Sequence, residues 1–236
     1  VHWDSYGMDG ATPLTSLSGK PYSILTEARE AGLATALVNS GHLAEPGTGV
    51  CAASARARSA VDEITLQIIE SGVDIILGGG EVLLLPEGVV GKFRSPGVRQ
   101  DGRNLIQRAE QLGYEVVYTR DELLDLPPDT EKILGVFAGG HTFVDQPEEA
   151  LMERRLPFYW SWAPTVAEMT EATLRHLARS GRRLLLVVVE EGSDNFANQN
   201  NAAGALTALG RADEAIGVAM KYLEEHPATL LLTAAD

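Results

Sequence analysis

The run RLLLVVVEEGSDNFANQNN at residues 183–201 constrains this chain more than any other stretch, because branched apolar residues end abruptly in acids and carboxamides. Residues 183–189 have the composition of a parallel strand covered by helices on both faces. The polar burst falls at its carboxyl end, where open α/β sheets place their ligands. Residues 200–225 follow with Leu209, Ala212, Ile216, Ala219, Met220 and Leu223 at helical spacing, so the acids sit between a strand and a helix amino terminus. A further strand is expected over 228–233, running into Asp236.

The same rhythm repeats upstream. Residues 22–31 read as a helix stopped by Gly32, 33–38 as a strand, and 39–49 (NSGHLAEPGTG) as a loop at its carboxyl end. Residues 59–70 read as a helix opened by Ser59, and 73–77 as a strand running into Gly78, Gly79 and Gly80. A long Gly- and Pro-punctuated loop reaches Gln100. Helices are expected at 102–113, 121–126, 147–155 and 164–179, and strands at 114–118 and 133–137. Some six strand–helix repeats with short connections give a mostly parallel sheet sandwiched between helices, an α/β fold in a single domain over residues 1–236.

Charge and composition narrow the partners. A formal charge of -14 opposes a nucleic-acid backbone, which needs clustered Lys and Arg, and suits cations. One cysteine, Cys51, excludes an internal disulfide and a Cys-rich zinc cluster. No apolar run reaches the ~18 residues of a transmembrane segment. The expected strand ends carry oxygen ligands: Glu45, then Glu190, Glu191 and Asp194, then Asp236. Carboxyl ends of parallel strands share one sheet edge, so these acids can converge, and converging carboxylates call for a divalent cation. Each also has a plain structural reading: Asp194, Asn195 and Asn198 as helix caps, Glu45 as a turn residue, Gly78 to Gly80 as a tight turn, and His42 and His141 as isolated loop residues.

The motifs GKP (19–21), AGLATALV (31–38), VDIILGGG (73–80), DGRNL (101–105), TVAEMTEA (165–172) and LLLTAAD (230–236), in this order and spacing, resemble the middle of an alkaline phosphatase. The resemblance implies a fold incomplete at both ends, the central part of a larger phosphatase domain. It also implies a metal-dependent phosphomonoesterase, active on small-molecule phosphomonoesters, periplasmic or extracellular, and compatible with a homodimer.

Carried over by position, the resemblance makes Glu191 the magnesium ligand, with Glu190 an alternative one residue away, and Asp194 an aspartate ligand of one zinc. Asn198 stands where a histidine for that zinc is usual, Glu45 at a ligand of the third metal, and Asp236 at the aspartate of the other zinc. The loop between Glu191 and Asp194 is shorter than the family's by about two residues, and Gly47 replaces a threonine ligand. The carboxamide of Asn198 favours magnesium, calcium or manganese over zinc at the Asp194 site. The family's nucleophilic serine precedes the matched region; Ser5, in Asp4-Ser5, lies too near Gly19 to take its place. The chain as it stands is therefore expected to be inactive. A sulfatase or phosphonate hydrolase relative, or a non-catalytic binding domain of the same fold, are the competing readings.

Overall fold

The computed structural model describes residues 23–55 and 57–235. A parallel five-stranded sheet in the order β3-β4-β2-β1-β5 forms its frame. The strands are β1 (Ala34–His42), β2 (Ile75–Gly79), β3 (Glu115–Val117), β4 (Ile133–Val136) and β5 (Leu184–Val189). The helices are α1 (Ile24–Glu30), α2 (Pro46–Ala52), α3 (Val61–Glu70), α4 (Leu105–Gln111), α5 (Arg120–Leu124), α6 (Glu148–Arg154), α7 (Val166–Arg179), α8 (Gly192–Asn198) and α9 (Ala202–Glu225).

Strand alternation divides the core. Leu37 and Ile76 face one layer with Ile64 and Ile68 of α3 and Leu105 and Ile106 of α4. Ala36, Val38, Ile75 and Leu77 face the other with Val166, Met169 and Leu177 of α7 and Ala215 of α9. Opposite faces of the same strands are thus both apolar, as a sheet covered on both sides requires. Local signals fix the helix starts. Thr165 and Glu168 form a reciprocal capping box at α7, and Asn201 caps α9 by accepting from Gly204 N at 2.8 Å.

The topology creates a switch point. After β1 the chain leaves through α2 and α3 toward β2, and β5 arrives through α7 on the other side of β1. Connections from these neighbouring strands diverge to opposite faces, which opens a crevice beyond their carboxyl ends.

Several sequence expectations are corrected here. β1 runs on to His42, with a register irregularity between Val38 and His42, so the expected loop at 39–49 is half strand and half helix. Pro46 at the first turn of α2 explains the helix, since its missing N–H and fixed φ suit that position. β5 pairs with β1 alone among the described residues and its six residues are all only partly buried, so it is an edge strand there and not the central one expected. Leu185 and Val187 nevertheless pack on one layer and Leu184, Leu186 and Val188 on the other, as a strand covered on both faces requires. The polar burst after it is the helix α8, and α9 begins at Ala202. Residues 228–233 are not a strand: nothing pairs with them among the described residues, and Leu230 and Leu232 are 77% and 81% exposed. Asp236 and Ser5 lie outside the described residues.

The long loop after β2 is held by two buried charges that its composition does not advertise. Glu81 accepts from Lys92 N and Phe93 N at 2.7 and 3.0 Å. The Arg99 guanidinium, fully buried, bonds Thr65, the Leu83 and Asp62 carbonyls and Asp101.

Candidate metal centre

The crevice is lined by the ends of β1, β2, β4 and β5. At β1, the side chain of Asn39 accepts from Gly41 N at 2.6 Å and donates to Thr48 at 2.9 Å, which turns the strand end back over α2. This leaves Ser40 pointing at β5 and carries His42 and Glu45 to the sheet edge.

Glu190, directly after β5, is held by three hydrogen bonds. Its Oε1 accepts from Ser40 Oγ at 2.7 Å, Tyr159 Oη at 2.8 Å and Gly192 N at 3.0 Å. Its Oε2 is buried with no hydrogen-bond partner among the described residues. Burial raises the carboxyl's pKa against the opposing pull of these donors and of Arg211. Arg211 in turn covers the Tyr159 ring, 3.6 Å from its centroid. Asp145, after β4, repeats the pattern: Oδ2 accepts from Asn195 at 3.2 Å, and Oδ1 is buried without a partner among the described residues. Orphaned buried carboxylate oxygens are groups that a hard divalent cation satisfies, although among the described residues only His42, Glu45 and His141 bring three ligand atoms within 4.8 Å of one another.

Glu191 begins α8 without capping it and lies across the end of β1. A Cβ on Gly41 would sit 2.9 Å from Glu191 Cγ, and one on Gly47 would lie 4.0 Å from Glu191 Oε2. Glycine at position 41 gives that carboxylate its room, whereas a side chain at position 47 would meet it only in ordinary contact. Glu45 occupies the cap position of α2 but makes no side-chain cap bond, and its side chain turns inward instead. Its Oε1 lies 3.0 Å from His42 Nε2 and 3.7 Å from His141 Nε2. Burial pushes the Glu45 carboxyl up; Arg58 pulls it down, and Asp194 and Asp145 push it up again. Both histidines are driven down to about 4, His42 by burial and then by His141, and His141 by burial. Near neutral pH the imidazoles are therefore uncharged, and the short His42–Glu45 contact is a hydrogen bond to a carboxylate rather than an ion pair.

The imidazoles meet because of the glycines at the end of β2. A Cβ on Gly79 would run into the Gly140 carbonyl oxygen, and one on Gly80, at φ +98°, would come within 2.9 Å of His42 Cβ. Gly78 to Gly80 thus form neither a nucleotide loop nor a simple turn. They let the segment after β4 close onto β1, where Thr142 bonds the Ser40 carbonyl through both N and Oγ1, at 3.0 and 2.6 Å. His141 then stacks on His42 at 4.9 Å and on Phe143 at 4.7 Å. Phe143 belongs to an aromatic cluster with Tyr159 and the fully buried Phe196 of α8, which anchors α8 beneath the site.

Of the residues singled out from sequence, Glu45, Glu190 and Glu191 reach the crevice, and Asp194 is close enough to act on Glu45 but sits exposed on α8. Asn198, also exposed, donates from Nδ2 to Asp194 Oδ2 at 3.0 Å. Neither is a helix cap, since both lie inside α8. Sequence reading missed Ser40, Asp145 and Tyr159, and treated His42 and His141 as isolated. The one signal for the histidine pair was that each lies just past the carboxyl end of a strand.

Comparison with known proteins places this arrangement. The chain matches the alkaline phosphatase family over residues 7–236. It is 32% identical over 169 residues to a membrane-bound alkaline phosphatase of Bombyx mori, covering 68% of this chain and 28% of that protein. The Thermus thermophilus alkaline phosphatase structure superimposes with a TM-score of 0.72 at 27% identity, over 95% of this chain and 41% of that one. A variant of the alkaline phosphatase of the Antarctic bacterium TAB5, with one histidine replaced by aspartate and magnesium bound in its M3 site, superimposes with a TM-score of 0.69 at 16% identity, over 94% of this chain and 55% of that one. The chain therefore spans from about a quarter to just over half the length of these relatives.

Proposed function

The chain belongs to the alkaline phosphatase family, and from that premise we propose that it forms the metal-binding centre of a phosphomonoester hydrolase acting on small phosphate esters. The observation that carries this reading is that two acids at strand carboxyl ends, Glu190 and Asp145, each keep one buried carboxylate oxygen without a hydrogen-bond partner among the described residues. Glu45, Glu191 and Asp194, with Glu190 and Asp145 beside them, are the acids that would hold divalent cations there. The magnesium of the TAB5 variant is in keeping with such a site.

When bound, the cation supplies positive charge against the phosphoryl oxygens, which an otherwise acidic crevice would repel. The chain's own residues do the rest. Ser40, Tyr159 and Gly192 N hold Glu190 in one orientation, and the Phe143–Phe196 cluster keeps α8 fixed under it. The attacking group is a serine from outside the described residues, passing through a phosphoserine, and Asp236 and Asn198 complete the ligand set around zinc or a harder ion. Periplasmic or extracellular placement belongs to the same proposal.

Ester specificity tests it. The intact protein is offered a phosphomonoester, a phosphodiester, a phosphonate ester and a sulfate ester of the same leaving group. Preferential release from the monoester supports the reading. Preference for the sulfate or phosphonate ester selects the superfamily alternative, and turnover of none leaves a binding domain.

A further inference from the structure

We propose that His42, Glu45 and His141 form a nitrogen-rich metal site selective for zinc-class ions, in the same crevice as the acids Glu190, Glu191 and Asp145. Their ligand atoms all lie within 4.8 Å of one another. Around a tetrahedral ion at ~2.0–2.1 Å, neighbouring donors stand roughly 3.3 Å apart. The observed 3.0 and 3.7 Å from Glu45 Oε1 to the two Nε2 atoms bracket that spacing.

The rings are preorganised. The His42–His141 stack is near-parallel at 19°, and Phe143 backs His141 at 11°, so both Nε2 edges face the same carboxylate oxygen. Both Nδ1 atoms are buried with no hydrogen-bond partner among the described residues. Neither Nδ1 is committed as an acceptor, so each ring is able to carry its proton there and present an Nε2 lone pair to an ion that displaces the contact with Glu45. Two imidazoles and a carboxylate suit zinc and leave a fourth position open, whereas magnesium prefers oxygen and hydration.

This inference rests on the proposed function only in sharing the crevice, and zinc titration reads it without any turnover. The intact protein is stripped with a chelator and titrated with Zn2+, Mg2+ and Co2+, as wild type, His42→Gln, His141→Gln and the double variant. Wild type should take up one zinc more than the double variant. Each single variant should bind that zinc on the order of 100-fold more weakly, at least the loss that outer-shell changes cause. Co2+ should give the intense visible bands of four-coordination, in wild type alone. Should the variants fail to fold, imidazole nitrogen resonances of wild type decide: zinc must shift those of both His42 and His141. Equal zinc uptake with and without the histidines, unmoved resonances, or magnesium binding there as tightly as zinc would overturn the site. Zinc binding without any ester hydrolysis would leave it standing and remove only the proposed activity.

Discussion

Ser40 Oγ lies 2.7 Å from Glu190 Oε1, joining two strand ends 150 residues apart in sequence, and Glu191 N donates back to the same hydroxyl at 3.0 Å. This hydroxyl therefore sets both acids after β5 against β1. Ser40→Ala deprives a buried carboxylate of a donor, a loss of about 1.5–3 kcal/mol. Urea unfolding of chelated wild type and variant checks it, and magnesium affinity should fall together with stability.

The glycine that admits the Gly140 carbonyl has no room for a methyl group. Gly79→Ala should cost about 1–3 kcal/mol through forced displacement of that backbone. The displaced segment carries His141, so zinc uptake should weaken as well. Thermal unfolding and zinc titration of the same preparation measure the two effects together.

Acid should destabilise the metal-free protein through its histidine pair. The folded-state values of His42 and His141 are depressed from 6.5 to about 4, so the unfolded chain binds protons first as pH falls. Their contribution is complete above pH 6.5 and is lost between there and about 4. Glu45 and Glu190 are shifted upward, which has the opposite sign and offsets part of the loss. Comparison with the His42→Gln, His141→Gln double variant isolates the imidazoles: across this window wild type should lose stability more steeply.

Asn198 and Asp194 stand one turn apart on the exposed side of α8, joined by an amide hydrogen bond. Asn198→His places a nitrogen ligand beside that aspartate. Zinc affinity, and activity with zinc relative to magnesium in the intact protein, should then rise. An unchanged metal preference would remove Asn198 from the ligand set.

What was legible in the sequence followed from local chemistry. Apolar runs bounded by glycine and caps located each strand of the sheet, because every such run has to be buried on both faces or one. The run at 228–233 carried the same signal and formed no strand, since pairing needs a neighbour that periodicity cannot supply. The edge position of β5 was hidden for the same reason: LLLVVV reads alike in the middle or at the border of a sheet. Glu45, Glu190 and Glu191 were visible as acids past strand ends. Asp145, Ser40 and Tyr159 were not, because their roles come from β4 lying two strands from β1 and from the aromatic cluster that tilts α8. The triple glycine was visible, but its purpose was not, since only tertiary packing shows which carbonyl it admits.

The most direct measurement is phosphate release from a phosphomonoester by the intact protein, before chelation, after it, and after magnesium and zinc are restored, in wild type and Glu190→Gln. Wild type should lose turnover on chelation and regain it with metal, while Glu190→Gln, keeping the side chain's shape but not its charge, should remain at least ~100-fold slower with metal restored. Full turnover in exhaustively chelated wild type, or Glu190→Gln as active as wild type, would contradict a metal-dependent hydrolase centred on this crevice.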